Sequence, residues 1–188
     1  MPSPIQVRFV SRNEHKLEEA KAILAPLNVA VTANLHTIEE LQTNDTEKLV
    51  KDKALKAFQL LGEPLFVEHT GLYLNEMNGL PGGLTQIFWD TLLADRFSEL
   101  FGQTGRNGVS ARTVIAYVDG KRFHLFYGDV NGTIAPTPRG PRDFQWDCVF
   151  IPEGHDKTFA EMGSFKNSIS MRKKALDQFA KHFGSGAK

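Results

Sequence analysis

Apolar residues cluster over 5–10, then recur at Leu17, Ala20, Leu24 and Leu27 with charges between them. The first cluster predicts a short buried strand, the second a helix that ends near Pro26. Residues 28–32 predict a second strand. Asn44-Asp45-Thr46-Glu47 resembles a capping box. The helix behind it carries Leu49, Val50, Ala54, Ala57 and Leu61 on one face and stops at Gly62-Glu63-Pro64. Leu65-Phe66-Val67 predicts a buried strand that ends in Glu68-His69-Thr70-Gly71. After the loop Gly79-Leu80-Pro81-Gly82-Gly83, Thr85 is placed to cap a third helix bearing Phe88, Leu92, Leu93, Phe97, Leu100 and Phe101. Stretches 114–118 and 123–127 flank Asp119-Gly120, a strong hairpin signal. A strand is expected at 149–151, then a last helix with Ala175, Leu176, Phe179, Ala180 and Phe183 on one stripe. Early interleaving of strands and helices, followed by a hairpin, predicts an α/β fold with a mixed sheet.

Composition narrows the function classes. The chain has 188 residues, 41% hydrophobic and 23% charged, which suits one soluble globular domain spanning 1–188. Lys and Arg together number 22, as do Asp and Glu, so the formal net charge is zero. A nucleic acid polymer needs a basic excess to release its counterions, so it is not the expected partner. A small anionic ligand needs only a local cluster. One cysteine, Cys148, excludes an internal disulfide and a multi-cysteine zinc site, and fits a reducing cytoplasm. No apolar run approaches the roughly 18 residues that cross a bilayer. The start Met1-Pro2-Ser3-Pro4 lacks a signal-peptide pattern, and Gly184-Ser185-Gly186 reads as a frayed end.

Three polar constellations carry the chemistry. Ser11-Arg12-Asn13-Glu14-His15-Lys16 lies where the first strand turns into the first helix. Free N–H groups at a helix start bind phosphate readily, and Lys16 adds a charge; the alternative is an N-cap with solvated charges. Neither common glycine-rich phosphate loop occurs. Glu68 could ligate a divalent metal or hold a water, and His69 could accept a proton, unless the segment is a plain strand-end turn. Residues 136–141 form a proline-rich loop that brings Arg139 and Arg142 beside Asp143-Phe144-Gln145-Trp146-Asp147. Ring faces there suit a base, and Lys166-Asn167-Ser168-Ile169-Ser170-Met171-Arg172 supplies cations for phosphate oxygens. Phe144 and Trp146 could instead be core, but their charged neighbours would need buried partners.

The ordered set resembles the inosine/xanthosine triphosphate pyrophosphatases, which hydrolyse non-standard purine nucleoside triphosphates. The resemblance runs over residues 7–183. Ser11 to Lys16 is similar to that family's [S/T]-G-N-x-x-K turn, and Val67-Glu68-His69-Thr70-Gly71-Leu72 to its acidic strand end. Gly79-Leu80-Pro81-Gly82 matches its G-x-P-G loop. Phe144-Gln145-Trp146-Asp147 is similar to F-G-[W/Y]-D. Thr158-Phe159-Ala160-Glu161-Met162 and 166–172 match its last two segments.

The resemblance implies an elongated mixed β-sheet flanked by helices, with two lobes around a central cleft, in a homodimer. Ser11, Asn13, Lys16 and Lys53 would hold the triphosphate, with Thr70 beside them. Phe144, Gln145, Trp146 and Asp147 would frame the purine. Lys166, Met171 and Arg172 would engage the nucleotide further. Glu40 and Glu68 would hold Mg²⁺ or Mn²⁺, and Glu68 and His69 would be catalytic. Four positions depart from the pattern: Arg12 and Gln145 replace glycines, His69 an acid and Met171 a histidine. The expected activity is hydrolysis of the triphosphate to monophosphate and pyrophosphate. The alternatives are a nucleotide binder with weak or no hydrolysis, or a pyrophosphatase retuned to another nucleotide. Imidazole is a poor Mg²⁺ ligand, and Gln145 adds bulk where a base would enter.

Overall fold

The computed structural model describes residues 3–184; Ser185 and Gly186 of the expected frayed end lie outside them. Ile5–Val10 forms β1, Glu14–Leu24 α1, Val29–Asn34 β2 and Thr46–Leu61 α2. Leu65–Leu74 forms β3, Pro81–Gly82 the short β4 and Thr85–Phe101 α3. Gly108–Val118 and Phe123–Ile134 are the long hairpin strands β5 and β6, and Phe150–Pro152 is β7. Three helices finish the chain: Phe159–Met162 (α4), Lys166–Ile169 (α5) and Met171–Gly184 (α6). Among the described residues, seven strands form one mixed sheet ordered β2-β1-β3-β5-β6-β7, with β4 also on β3. The expected α/β mixed sheet flanked by helices is what the chain forms. No helix of the described residues is long and apolar enough to cross a membrane.

Side chains alternate across a strand, and that alternation sorts the core. Phe9, Phe66, Ile115 and Tyr117 pack with Leu17, Ala20 and Leu24 of α1 and Ala175, Leu176 and Phe179 of α6. Val10, Val67, Val114 and Ala116 pack with Leu49, Val50, Ala54 and Ala57 of α2. Farther along β3, Leu72 and Leu74 join Phe97, Val130, Trp146, Phe150, Phe159 and Met171 in a third cluster. Gly128 lets α6 lie close on the sheet. A Cβ there would overlap the Met171 carbonyl and approach Ala175 N to 2.7 Å.

Several local expectations are corrected. β3 does not end at Glu68; it runs on to Leu74 because β5 pairs with it from Leu65 to Leu74. β1 stops at Val10 and meets β3 at Phe9↔Phe66, whereas β4 meets β3 at Leu72 and Tyr73. The β3 edge at 67–71 therefore lies in a notch between two strands. The α2 cap is Asp45, whose carboxylate accepts the Lys48 N–H, while Glu47 pairs with Lys51 instead of closing a box. A reciprocal box occurs at Thr158 and Glu161, ahead of α4.

Thr85 does not cap α3. Its hydroxyl accepts the Leu72 N–H at 2.8 Å and donates to the Gly82 carbonyl at 2.6 Å, tying the helix to the sheet. Helix α3 breaks at Leu93 (φ 57°, ψ 175°); Leu93 and Leu100 are exposed, whereas Phe97 is buried. Arg139 and Arg142, expected beside the aromatic pair, do not line the cleft. Arg142 forks onto Asp95 of α3 at 2.8 and 3.1 Å, and Arg139 donates to the Asp156 carbonyl.

Candidate active site

A cleft of about 270 Å³ opens at the notch. The β2-β1-β3 end with α1 and α2 forms one side. Helix α3 and the 3₁₀ turn Gln145–Cys148 form the other. Of the residues expected there, Ser11, Asn13, Lys16, Glu40, Lys53, His69, Thr70, Gln145 and Trp146 line it. Arg12 lines it too and reaches across to Thr37 Oγ1 at 2.8 Å.

The turn from β1 to α1 is partly self-satisfied. Asn13 is the N-cap: its Oδ1 accepts the Lys16 N–H at 3.1 Å, while Ser11 Oγ accepts the Asn13 N–H at 3.2 Å. Lys16, one turn in, points its ammonium to Glu68 Oε1 at 2.9 Å. Burial lowers the pKa of Lys16, and Arg172 and Lys53 lower it further against the pull of Glu68.

Glu68 and His69 are neighbours on β3 but leave it toward different helices, as strand alternation requires. Glu68 meets α6: Arg172 Nε donates to Oε2 at 2.8 Å and Arg172 Nη2 to Oε1 at 3.2 Å. Burial alone would raise the Glu68 pKa; Arg172 and Lys16 outweigh it and hold the carboxyl well below the usual range. His69 meets the α2 side, with Nδ1 3.7 Å from Glu40 Oε2, and Glu40 Oε1 receives Lys53 Nζ at 2.5 Å. Burial, then Lys16, pushes His69 down to about 4, so its imidazole is neutral at pH 7. Its Nε2 is buried without a hydrogen-bond partner among the described residues. Burial works against the Glu40 charge as well, yet Lys53 keeps its pKa below the ordinary carboxylate value.

The other expected residues sit behind the cleft in a buried ion cluster. Lys166 Nζ donates to Asp147 Oδ2 at 2.6 Å and to Glu19 Oε1 at 2.8 Å. Arg172 Nη1 also donates to Glu19. Burial raises the Asp147 pKa, with Lys166 opposing. Phe144 lies against this cluster, its ring 4.2 Å from Lys166 Nζ and 4.9 Å from the His15 ring. Phe144 and Trp146 therefore do not share one face of the cleft. Trp146 is buried, packs on Phe150 and leaves its indole N–H without a partner among the described residues. Met171 is buried among apolar side chains and does not line the cleft.

Sequence reasoning missed Glu19, which joins Lys166 to Arg172. The available signal was its position one helical turn after Lys16, on the same side of α1. It also missed Gln86 and Trp89, which present the first turns of α3 to the cleft. Their spacing of three residues puts both on one helix face.

Known proteins resemble this chain over nearly its full length. A dITP/XTP pyrophosphatase of Methanopyrus kandleri is 35% identical over 181 residues, covering 95% of this chain and 96% of that one. An inosine triphosphate pyrophosphatase of Candida glabrata is 36% identical, with coverage of 95% and 97%. A HAM1 protein from Coxiella burnetii has the same fold, with a TM-score of 0.80 at 23% identity, over 97% of this chain and 100% of that one. The Ham1 family profile matches residues 7–182, and with these relatives it shows that the chain belongs to the Ham1 family.

Proposed function

We propose that this protein is a nucleoside triphosphate pyrophosphatase acting on non-standard purine nucleotides, releasing the monophosphate and pyrophosphate. The observation that carries the reading is one cleft with Lys16 and Lys53 on one side and Trp146 on the other, in a chain of the Ham1 family. The relatives named for dITP, XTP and inosine triphosphate favour a 6-oxopurine substrate.

The triphosphate lies toward Ser11, Asn13, Lys16 and Lys53, with Thr70 alongside, and the base toward Trp146 and Gln145. Lys16 and Lys53 stabilise the charge that builds on the phosphate oxygens as the bond from Pα to the bridging oxygen breaks. Water attacks Pα, and neutral His69 takes its proton. At a pKa of about 4 the imidazole is a weak base; an incoming polyanion raises it toward the working range. Lys166, Arg172, Asp147 and Phe144 act from behind, by holding β3 and the 3₁₀ turn in place. Met171 contributes packing.

A divalent ion, Mg²⁺ or Mn²⁺, would be held beside Glu40, which lines the cleft. Mg²⁺ usually needs only one or two carboxylates, with phosphate oxygens and waters completing its shell. That suits a site where no three His, Cys, Asp or Glu side chains of the described residues converge. When bound, the ion would supply charge neutralisation to the phosphates. Glu68 fits this role poorly, because Arg172 and Lys16 already hold both its oxygens.

We also propose that the chain acts as one domain, in the cytoplasm, which suits the free buried thiol of Cys148. A homodimer would cover exposed Ile87 and Leu93 of α3. Turnover of dITP, XTP and dATP with Mg²⁺ or Mn²⁺ tests the activity. Equal yields of monophosphate and pyrophosphate from the 6-oxopurines are expected. Binding without turnover would favour the nucleotide-binder alternative.

A further inference from the structure

Three side chains at the aromatic end of the cleft form a hydrogen-bond chain, of which the reading above uses only Gln145. Gln86 lies in the first turn of α3, Asp90 one turn later, and Gln145 at the start of the 3₁₀ turn across the cleft. Both glutamines line the cleft beside Trp89 and Trp146. Gln145 Nε2 donates to Gln86 Oε1, and Gln86 Nε2 donates to Asp90 Oδ1 at 2.7 Å.

The direction of this chain is fixed at one end. An ionised carboxylate can only accept, so Asp90 takes the amide N–H of Gln86. That turns Gln86 Oε1 toward Gln145, which must meet it with Nε2. Gln145 Oε1 is left as an acceptor. The next residue, Trp146, carries an indole N–H that is buried with no partner among the described residues and can only donate. Gln145, which lines the cleft, thus offers one fixed acceptor. Gln145 sits at φ 44°, a left-handed conformation easier for glycine, so its side chain is kept there against a local backbone cost.

We propose that Asp90–Gln86–Gln145 is a specificity-determining relay, in which Asp90 is a positioning residue that sets which end of the Gln145 amide reads the purine edge. This rests on the proposed 6-oxopurine triphosphate substrate. A 6-oxopurine presents an acceptor at C6 next to a ring N–H, whereas in a 6-aminopurine donor and acceptor exchange places. An amide locked in one orientation fits one edge and opposes the other; an amide free to turn serves both.

The test compares kcat/KM for dITP and dATP in wild type, Asp90→Asn and Asp90→Glu. Asparagine can donate as well as accept, so the relay loses its single direction; glutamate keeps it. Asp90→Asn is expected to lower the dITP-to-dATP preference about tenfold, the reach of one hydrogen bond, with the loss in KM rather than kcat. Asp90→Glu is expected to retain the preference, and the two variants are expected to melt together. A preference unchanged in Asp90→Asn, or lost equally in Asp90→Glu, overturns the relay. Calorimetric dissociation constants for dIMP and dAMP carry the same ratio without turnover. Absent hydrolysis in wild type therefore contradicts the proposed activity, while an unchanged binding ratio contradicts the relay.

Discussion

Replacing Glu68 with Gln tests whether the ion cluster behind the cleft holds the molecule together. Glu68 and Arg172 are nearly fully buried, and Lys16 is mostly buried. The substitution keeps the shape but sets an amide N–H₂ against two cations that only donate. Removing one partner of a buried pair costs about 3–5 kcal/mol. Arg172 keeps Glu19, so the lower end applies, about 3 kcal/mol. That is a large part of the roughly 5–15 kcal/mol that stabilises a domain. In urea at pH 7, with a slope of about 2 kcal/mol/M, the unfolding midpoint should fall by about 1.5 M. The pH dependence adds a second check. The folded Glu68 pKa is depressed, so its contribution is present above the unfolded value of about 4.5 and lost as pH falls below it. The gap between wild type and Glu68→Gln should therefore hold from pH 7 to 5 and close in stronger acid. A midpoint shift under about 0.3 M, or a gap that widens in acid, would refute the reasoning.

His69 gives a prediction of its own: its folded pKa of about 4 lies below the ordinary 6.5. The unfolded chain then binds the extra proton between those values, so stability falls as pH drops from 6.5 to 4, by about 3 kcal/mol at 1.36 kcal/mol per unit. Urea midpoints of His69→Asn should lose that slope, and an identical slope would show His69 is not the group responsible. Lys53→Ala should lower kcat/KM for dITP by about 10²–10³; a fall below about tenfold would remove Lys53 from the phosphate site. Gly128→Ala pushes a methyl into the first turn of α6 and should cost about 1–3 kcal/mol, read by thermal unfolding, with a parallel loss of turnover because Arg172 moves with α6. A fully stable, fully active Gly128→Ala protein would mean α6 can shift without consequence.

Much of the fold was legible because apolar spacing is a local signal. Most of the β1, α1, α2 and α6 stripe residues pack in the core, although Ile5 and Leu27 are exposed. What lay beyond local reach were features set by distant partners. Nothing near Glu68 says that β5 would carry the strand on to Leu74. The polarity of 68–70 read as a strand end because the groups that neutralise it come from elsewhere. Arg172 stands 104 positions from Glu68, and 153 from Glu19. Phe144 and Trp146, two positions apart in the motif, part because the backbone turns sharply at Gln145 between them. Lys16 was recognisable by motif and Lys53 only through the family resemblance; Gln86 and Asp90 were not, since each reads as an ordinary polar helix residue until Gln145 is seen opposite.

The phosphorus that water attacks distinguishes a pyrophosphatase from a phosphohydrolase. Hydrolysis of dITP in ¹⁸O-enriched water, followed by mass analysis of both products, reads this directly. Label in the monophosphate, with none in pyrophosphate, is the predicted result. Label in pyrophosphate, or release of orthophosphate instead, would contradict attack at Pα within this cleft.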